Sequence, residues 1–188
     1  PPITYPLTLP MCAPISDGAA AAVLCNAAGM KRLRGDAGRA VRLLASVVRS
    51  GTSRESTDYR NHLTALAAVD AYEAAGVSPK DIDVAEVHDA TAMGENLQLA
   101  PFGEAGPAAE RGDFTVGGRI PINPSGGLES KGHPIGATGL GQVYELVSQL
   151  RGECGKRQVA DARIALQENG GGIVGVEEAT AVVNIFAK

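Results

Sequence analysis

The sequence predicts an α/β fold, and three features carry that expectation. Runs rich in Val, Ile or Leu at 40–50, 82–87 and 161–168, and again at the C-terminal end, read as strands, while 63–76 and 141–151 read as helices. Strands and helices therefore follow one another in the order that βα units need. A polar pair, His88-Asp89, ends one strand directly, and a sheet fixes the backbone at that place for chemistry. A Gly-rich stretch, Asn123 to Leu140, then leads straight into a helix.

Composition bounds the answer. A chain of 188 residues buries one ample core and amounts to slightly more than one ordinary domain. With 44% hydrophobic and 20% charged residues it folds rather than staying disordered. The net charge of −4, scattered Lys and Arg, and 4% aromatic content provide neither a basic stripe nor stacking platforms, which excludes nucleic acid as a partner. A CoA-type phosphate needs only a few cations or backbone amides, so mild acidity is compatible with it. Cys12, Cys25 and Cys154 are odd in number and lack metal spacing, and His62, His88 and His133 are far apart in sequence. Neither a disulfide framework nor a metal site is expected. No apolar run reaches membrane-spanning length and no leader pattern opens the chain, so a cytoplasmic protein without membrane partners is expected.

Taken in order, the first fourteen residues hold five prolines and should run extended across a surface. The small apolar run from Asp17 to Leu33 fits either a strand or a helix and should bury Cys25 as a small hydrophobe. Residues 40–50 read as a buried strand ending at Ser50-Gly51. The polar loop that follows includes His62, expected to be solvated or structural. The helix 63–76 stops at Gly76, a suitable C-cap. The strand at 82–87 runs into His88 and then a helix, and 101–118 reads as an irregular lid or interaction loop. Cys154 follows the second helix among charged residues and should be exposed. Residues 161–172 form a strand that breaks into Asn and Gly, and 177–188 a closing strand.

The eighteen residues from Asn123 to Leu140 hold five Gly, two Pro and one His. Glycines let the backbone approach a ligand closely. His133 sits between Gly132, which leaves the imidazole uncrowded, and Pro134, which holds the backbone in one conformation. A ring held this way transfers protons near neutral pH. Standing alone, a Gly-His-Pro tripeptide reads more readily as a surface turn.

Four blocks together change that reading: DGAAAAVL at 17–24, DIDVAEVHDA at 81–90, NPSGGLESKGHPIGATG at 123–139 and ALQENGGG at 165–172. Their order resembles the C-terminal half of a thiolase, nearest to the sterol-carrier-protein thiolases and their bacterial relatives. The resemblance implies a thiolase-like α/β fold, with 31–188 forming one βαβαββ half around a mixed sheet. Residues 1–30 would finish the N-terminal half, and the rest of that half, absent from this sequence, would hold the reactive cysteine. It also implies a homo-oligomer.

Roles carry over where positions match. His133 would be the base that turns the cysteine into a thiolate. His88 would help to form an oxyanion hole, with Asp89 orienting it or capping the next helix. Gly172, with its neighbours Gly171 and Asn169, would offer amides to a second oxyanion, and Gly132 and Ser16 would belong to the substrate-binding turn. Two positions depart from the pattern. Ala90 replaces a cysteine of the sterol-carrier branch, and Glu168-Asn169 stand where ordinary thiolases carry a second acid/base cysteine. Glu168 would serve as the acid and base if burial raised its pKa.

Three functions follow from the resemblance. The leading one is C-acyl transfer on acyl-CoA or 3-ketoacyl-CoA thioesters, with coenzyme A thioester as substrate and no tightly bound cofactor. The second is a thiolase-like aldolase that cleaves a β-hydroxyacyl-CoA alongside an OB-fold, zinc-ribbon partner. The third is a non-catalytic scaffold subunit.

Overall fold

A computed structural model describes residues 1–33, 37–99 and 105–188. Its centre is a four-stranded mixed sheet built from β3 (Arg42–Ser50), β4 (Val84–Glu86), β5 (Ile164–Gly171) and β6 (Thr180–Ala187). The order across the sheet is β3-β6-β5-β4, with β6 antiparallel to β3 and β5, and β4 parallel to β5. The short β4 is covered on its outer side, where the Ala85 amide donates to the Pro121 carbonyl (3.0 Å) and the Asn123 amide donates to the Ala85 carbonyl (2.9 Å). All three β4 residues are buried, and the strand delivers the chain to His88.

One helix covers each face. On one side α2 (Leu63–Ala75) sets Leu63, Ala67, Ala68, Ala71 and Tyr72 against Leu166, Val183 and Ile185. Three alanines at helical spacing let the helix lie close to the sheet, and Gly76 ends it in the left-handed conformation (φ 68°), as the sequence predicts. On the other side α6 (Thr138–Arg151) packs Leu146 and Leu150 against Val84, Ala165 and Phe186. Burial of each such Leu or Phe contributes about 1.5–3 kcal/mol.

Shorter pieces complete the chain: the hairpin β1 (Pro2–Thr4) and β2 (Leu7–Thr8), and the helices α1 (Ala27–Leu33), α3 (Ala92–Gln98), α4 (Ala105–Glu110) and α5 (Gly127–Lys131).

Several expectations are corrected. The strand at 42–50 is an edge strand rather than a buried one, with Ala45 as its one fully buried residue and Val48 66% exposed, because β6 pairs with only one of its sides. Residues 18–26 form no regular structure, and residues 21–26 are exposed throughout, Cys25 among them, since no described element buries that stretch. Cys154 is buried, because the turn after α6 folds back and Gln158 binds both the Cys154 amide and the Gln149 carbonyl. Of the two places left open for His62 the structural one holds: it is 3% exposed and caps α2, its Nδ1 accepting from the Thr64 amide. The stretch expected to be irregular contains α4, and the 101–104 part of it lies outside the described residues.

Candidate functional site

The site assembles where β4 ends. The chain turns at Asn123, whose positive φ of 49° suits an Asn side chain that bonds locally. Its Oδ1 accepts from the Val87 amide (2.8 Å), tying the NPSGG loop to the β4 end. Fully buried Glu86 ties it again, accepting from the amide and hydroxyl of Ser125 (3.1 and 2.8 Å) and from Lys131 Nζ (3.4 Å).

Asp89 does not cap the helix that follows it. Its carboxylate accepts from the Leu128 amide (2.7 Å) and the Glu129 amide (3.5 Å), so it caps α5 from 39 residues away. Gly127 is required there: at φ 62°, a Cβ would lie 1.9 Å from Asp89 Oδ2.

These anchors place His133 beside His88, with Nε2 atoms 3.4 Å apart and ring centroids 4.9 Å apart. His133 Nδ1 lies 2.7 Å from Thr138 Oγ1, which donates to the Pro134 carbonyl (3.2 Å). A hydroxyl that donates to a carbonyl accepts from the ring, so Nδ1 carries the proton and the Nε2 lone pair faces His88. Burial and the neighbouring His133 lower the His88 pKa, against an opposing effect of Glu178 and the Gly170 carbonyl. His88 is therefore neutral near pH 7.

Glu168 completes the group. It is fully buried, its Oε2 accepts from the His88 amide (3.0 Å), and its Oε1 finds no hydrogen-bond partner among the described residues. Burial raises its pKa to about 8, with the His88 amide opposing and Glu178 adding to the rise. The carboxyl is thus largely protonated at neutral pH and can both give and take a proton.

Residues 13–16 strap the two histidine loops together. The Ala13 amide donates to the Ala90 carbonyl (2.9 Å) and the His133 amide to the Pro14 carbonyl (3.3 Å). Gly132, at φ 95°, leaves room for Ser16, whose Oγ would stand 2.4 Å from a Cβ there. Ser16 through Ala20 and Pro134 through Ala137 line an open cleft of about 430 Å³ next to His133.

The remaining sequence-predicted residues are placed differently. Asn169 turns its side-chain amide to Gln142 of α6 (3.1 Å). Gly171 ends β5 and Gly172 follows at φ 69°, and no hydrogen bond among the described residues links either to His88 or His133. Nor does one link a cysteine to either ring. Burial beside Glu145 raises the Cys154 thiol to about 11. No group of three or more His, Cys, Asp or Glu among the described residues is placed to hold a metal, and no described helix is long and apolar enough to cross a membrane.

Thr138 and Gln142 were not singled out in the sequence. A signal for them exists: Thr138, Gln142, Glu145, Leu146, Gln149 and Leu150 share one buried helical stripe, and polar residues on such a stripe need partners.

Comparison with known proteins identifies relatives of this chain. The family described as thiolase C-terminal domain-like matches residues 45–185. An acetyl-CoA acetyltransferase from Methanothermobacter thermautotrophicus is 46% identical over 196 residues, covering 99% of this chain and 49% of that protein. Human sterol carrier protein 2 is 44% identical over 184 residues, covering 89% and 33%. The benzoylsuccinyl-CoA thiolase subunit BbsB of Thauera aromatica is 36% identical over 178 residues, covering 90% and 46%. The chain thus spans a third to a half of the length of these relatives. Among solved structures, a chain of the Ltp2-ChsH2(DUF35) aldolase shares the fold, with a TM-score of 0.62 at 22% identity over 77% of this chain and 39% of that one. With three quarters of its length matched and its sheet and helices arranged as in that fold, the chain belongs to the thiolase C-terminal domain-like family.

Proposed function

We propose that this chain is the C-terminal part of an acyl-CoA C-acyltransferase acting on acyl-CoA and 3-ketoacyl-CoA thioesters, with the nucleophilic cysteine supplied from outside residues 1–188. The observation that carries the reading is the grouping of His133, His88 and Glu168, in which a directed imidazole lone pair faces a neutral imidazole and a protonated carboxyl holds the main-chain amide of His88. In the cleavage direction, His133 Nε2 takes the cysteine proton and the thiolate attacks the 3-keto carbon. His88 donates to the oxygen as negative charge develops on it. Collapse breaks the bond between the carbonyl carbon and the α-carbon, leaving the shortened acyl group on the cysteine and releasing the α-carbon with its CoA thioester as the enolate of acetyl-CoA. Glu168 protonates that carbon, and the thiol of a second CoA takes the acyl group.

In this reading residues 1–30 finish the N-terminal half, 31–188 form the C-terminal domain, and Ser16, Gly132 and the cleft beside them receive the thioester end of CoA. Asn169, Gly171 and Gly172 contribute main-chain amides to the second oxyanion. The partners are the N-terminal half and further copies of the protein, and the reading sets its work in the cytoplasm.

A second reading, an aldolase acting on a β-hydroxyacyl-CoA with an OB-fold, zinc-ribbon partner, is favoured by one feature. A carboxyl, Glu168, occupies the place of the second thiolase cysteine, and a retro-aldol step needs an acid and a base but no thiolate.

Intact mass under native and denaturing conditions, followed by alkylation with iodoacetamide, tests the proposal. A co-purifying polypeptide with one rapidly alkylated cysteine supports acyl transfer. A partner without such a cysteine but with thioester-cleaving activity favours the aldolase, and an inert chain that binds nothing contradicts both.

A further inference from the structure

A row of side-chain amides crosses the molecule from β6 to α6. Asn184 Nδ2 donates to Gln167 Oε1 (2.5 Å), and Gln167 Nε2 donates to Gln142 Oε1 (2.9 Å). Asn169 Nδ2 donates to the same Gln142 oxygen (3.1 Å), while Gln142 Nε2 donates to the main-chain carbonyl of Glu168 (3.0 Å). Gln142 is 0% and Gln167 2% exposed. Burying amides costs free energy that hydrogen bonds at best offset, and an aliphatic side chain fills such space at no polar cost. Leu146, one turn further along α6, does so.

The place of Gln142 gives a reason for the amide. It lies one turn beyond Thr138, which holds His133 Nδ1. Across the gap it grips β5 at Glu168 and Asn169, and Glu168 Oε2 in turn holds the His88 amide. One side chain therefore spans from the helix supporting His133 to the strand end supporting His88. A planar amide with two directed bonds to consecutive residues fixes both the distance and the register of that strand end.

We propose that Gln142 is a positioning residue: its side-chain amide locks the Glu168-Asn169 end of β5 against the helix that holds His133, setting the carboxyl against the histidine pair. The inference rests on the acyl-transfer reading of the site. Chemistry of this kind tolerates misplacement of about 0.5 Å or less, which a van der Waals contact does not guarantee and a two-point amide clamp does.

Three variants test it: Gln142→Met, which keeps volume and removes all three of its bonds; Gln142→Glu, which keeps the acceptor for Gln167 and Asn169; and Asn184→Ala, at the part-buried far end of the row. In the 188-residue chain, NMR of the side-chain amides of Gln167 and Asn169 reads the clamp without any activity. In the assembled catalyst, kcat and KM for the acyl-CoA read its consequence. The expected result is displaced Asn169 and Gln167 amide signals in Gln142→Met, with kcat lowered on the order of tenfold or more and KM unchanged. Gln142→Glu regains part of that loss, and Asn184→Ala folds normally with a smaller drop. Unmoved amide signals, or a folded Gln142→Met whose kcat equals wild type or whose loss lies wholly in KM, overturns the proposal. If Gln142→Met fails to fold, the other two variants decide by the same readings. A wild-type assembly without thioester chemistry sinks the functional reading before any variant is compared, whereas a working wild type with unaltered variants sinks the role of Gln142 alone.

Discussion

His88 and His133 bring their Nε2 atoms within 3.4 Å of each other across 45 residues of sequence. Two histidines at that distance share at most one proton between the facing nitrogens, so the tautomer of one dictates what the other offers. Thr138 decides the matter by accepting a hydrogen bond from the Nδ1–H of His133, which keeps the proton on that nitrogen.

Thr138→Val keeps the shape of the helix start and removes the hydroxyl. His133 then loses its fixed tautomer and ring orientation, and kcat of the assembled catalyst falls on the order of tenfold. Nitrogen-15 NMR of the His133 ring checks the cause, with a mixture of Nδ1-H and Nε2-H forms expected where wild type shows Nδ1-H.

Glu168 sets a stability trend with pH. Its pKa in the fold, about 8, lies above the ordinary 4.5, so between those values the folded state holds a proton that the unfolded chain has released. Its contribution to stability falls as pH rises through that window and is at its lowest above pH 8. Glu168→Gln abolishes the trend and gains on wild type by a few kcal/mol in alkaline buffer, read by urea unfolding at pH 5 and pH 9. The same substitution removes proton transfer to carbon and lowers kcat by roughly 10²-fold or more.

Glu177 behaves in the opposite sense. Burial alone would raise its pKa, but hydrogen bonds from Thr52, Arg54 and the Leu63 amide bring it down to about 2. Stability from this carboxylate is fully present above pH 4.5 and is lost as pH falls toward 2. Glu177→Gln leaves the buried Arg54 guanidinium without its counter-charge and costs about 3–5 kcal/mol at pH 7. Chemical denaturation should show that gap closing below pH 4.

Gly132→Ala forces a Cβ into Ser16 at a φ of 95° that alanine resists. The strap over the His133 loop lifts, at a cost of about 1–3 kcal/mol. Hydrogen exchange of the His133 amide, held by the Pro14 carbonyl, should accelerate, while that of α2 should not.

What could be read from the sequence divides along a physical line. Helix 63–75 and the strands at 84–86, 164–171 and 180–187 are set by local spacing and glycine punctuation, so they were legible. His88, His133 and Glu168 could be named because their flanking residues are distinctive, and the fold brings all three together. Burial depends on what packs from elsewhere, which is why Cys25 and Cys154 were each misplaced and why the sequence left His62 open between a solvated and a structural place. Asp89 reaches forward 39 residues to cap α5, and Gln142 reaches β5 at 25–27 residues' remove; no local pattern announces either pairing.

The central claim is that His133 generates a cysteine thiolate that cleaves 3-ketoacyl-CoA. The most direct test is the rate of CoA-dependent thiolysis of a 3-ketoacyl-CoA by the assembled catalyst, compared with His133→Ala. The account predicts turnover in wild type and a loss of roughly 10³-fold or more in the variant. Thiolysis that survives His133→Ala within a few-fold would contradict it.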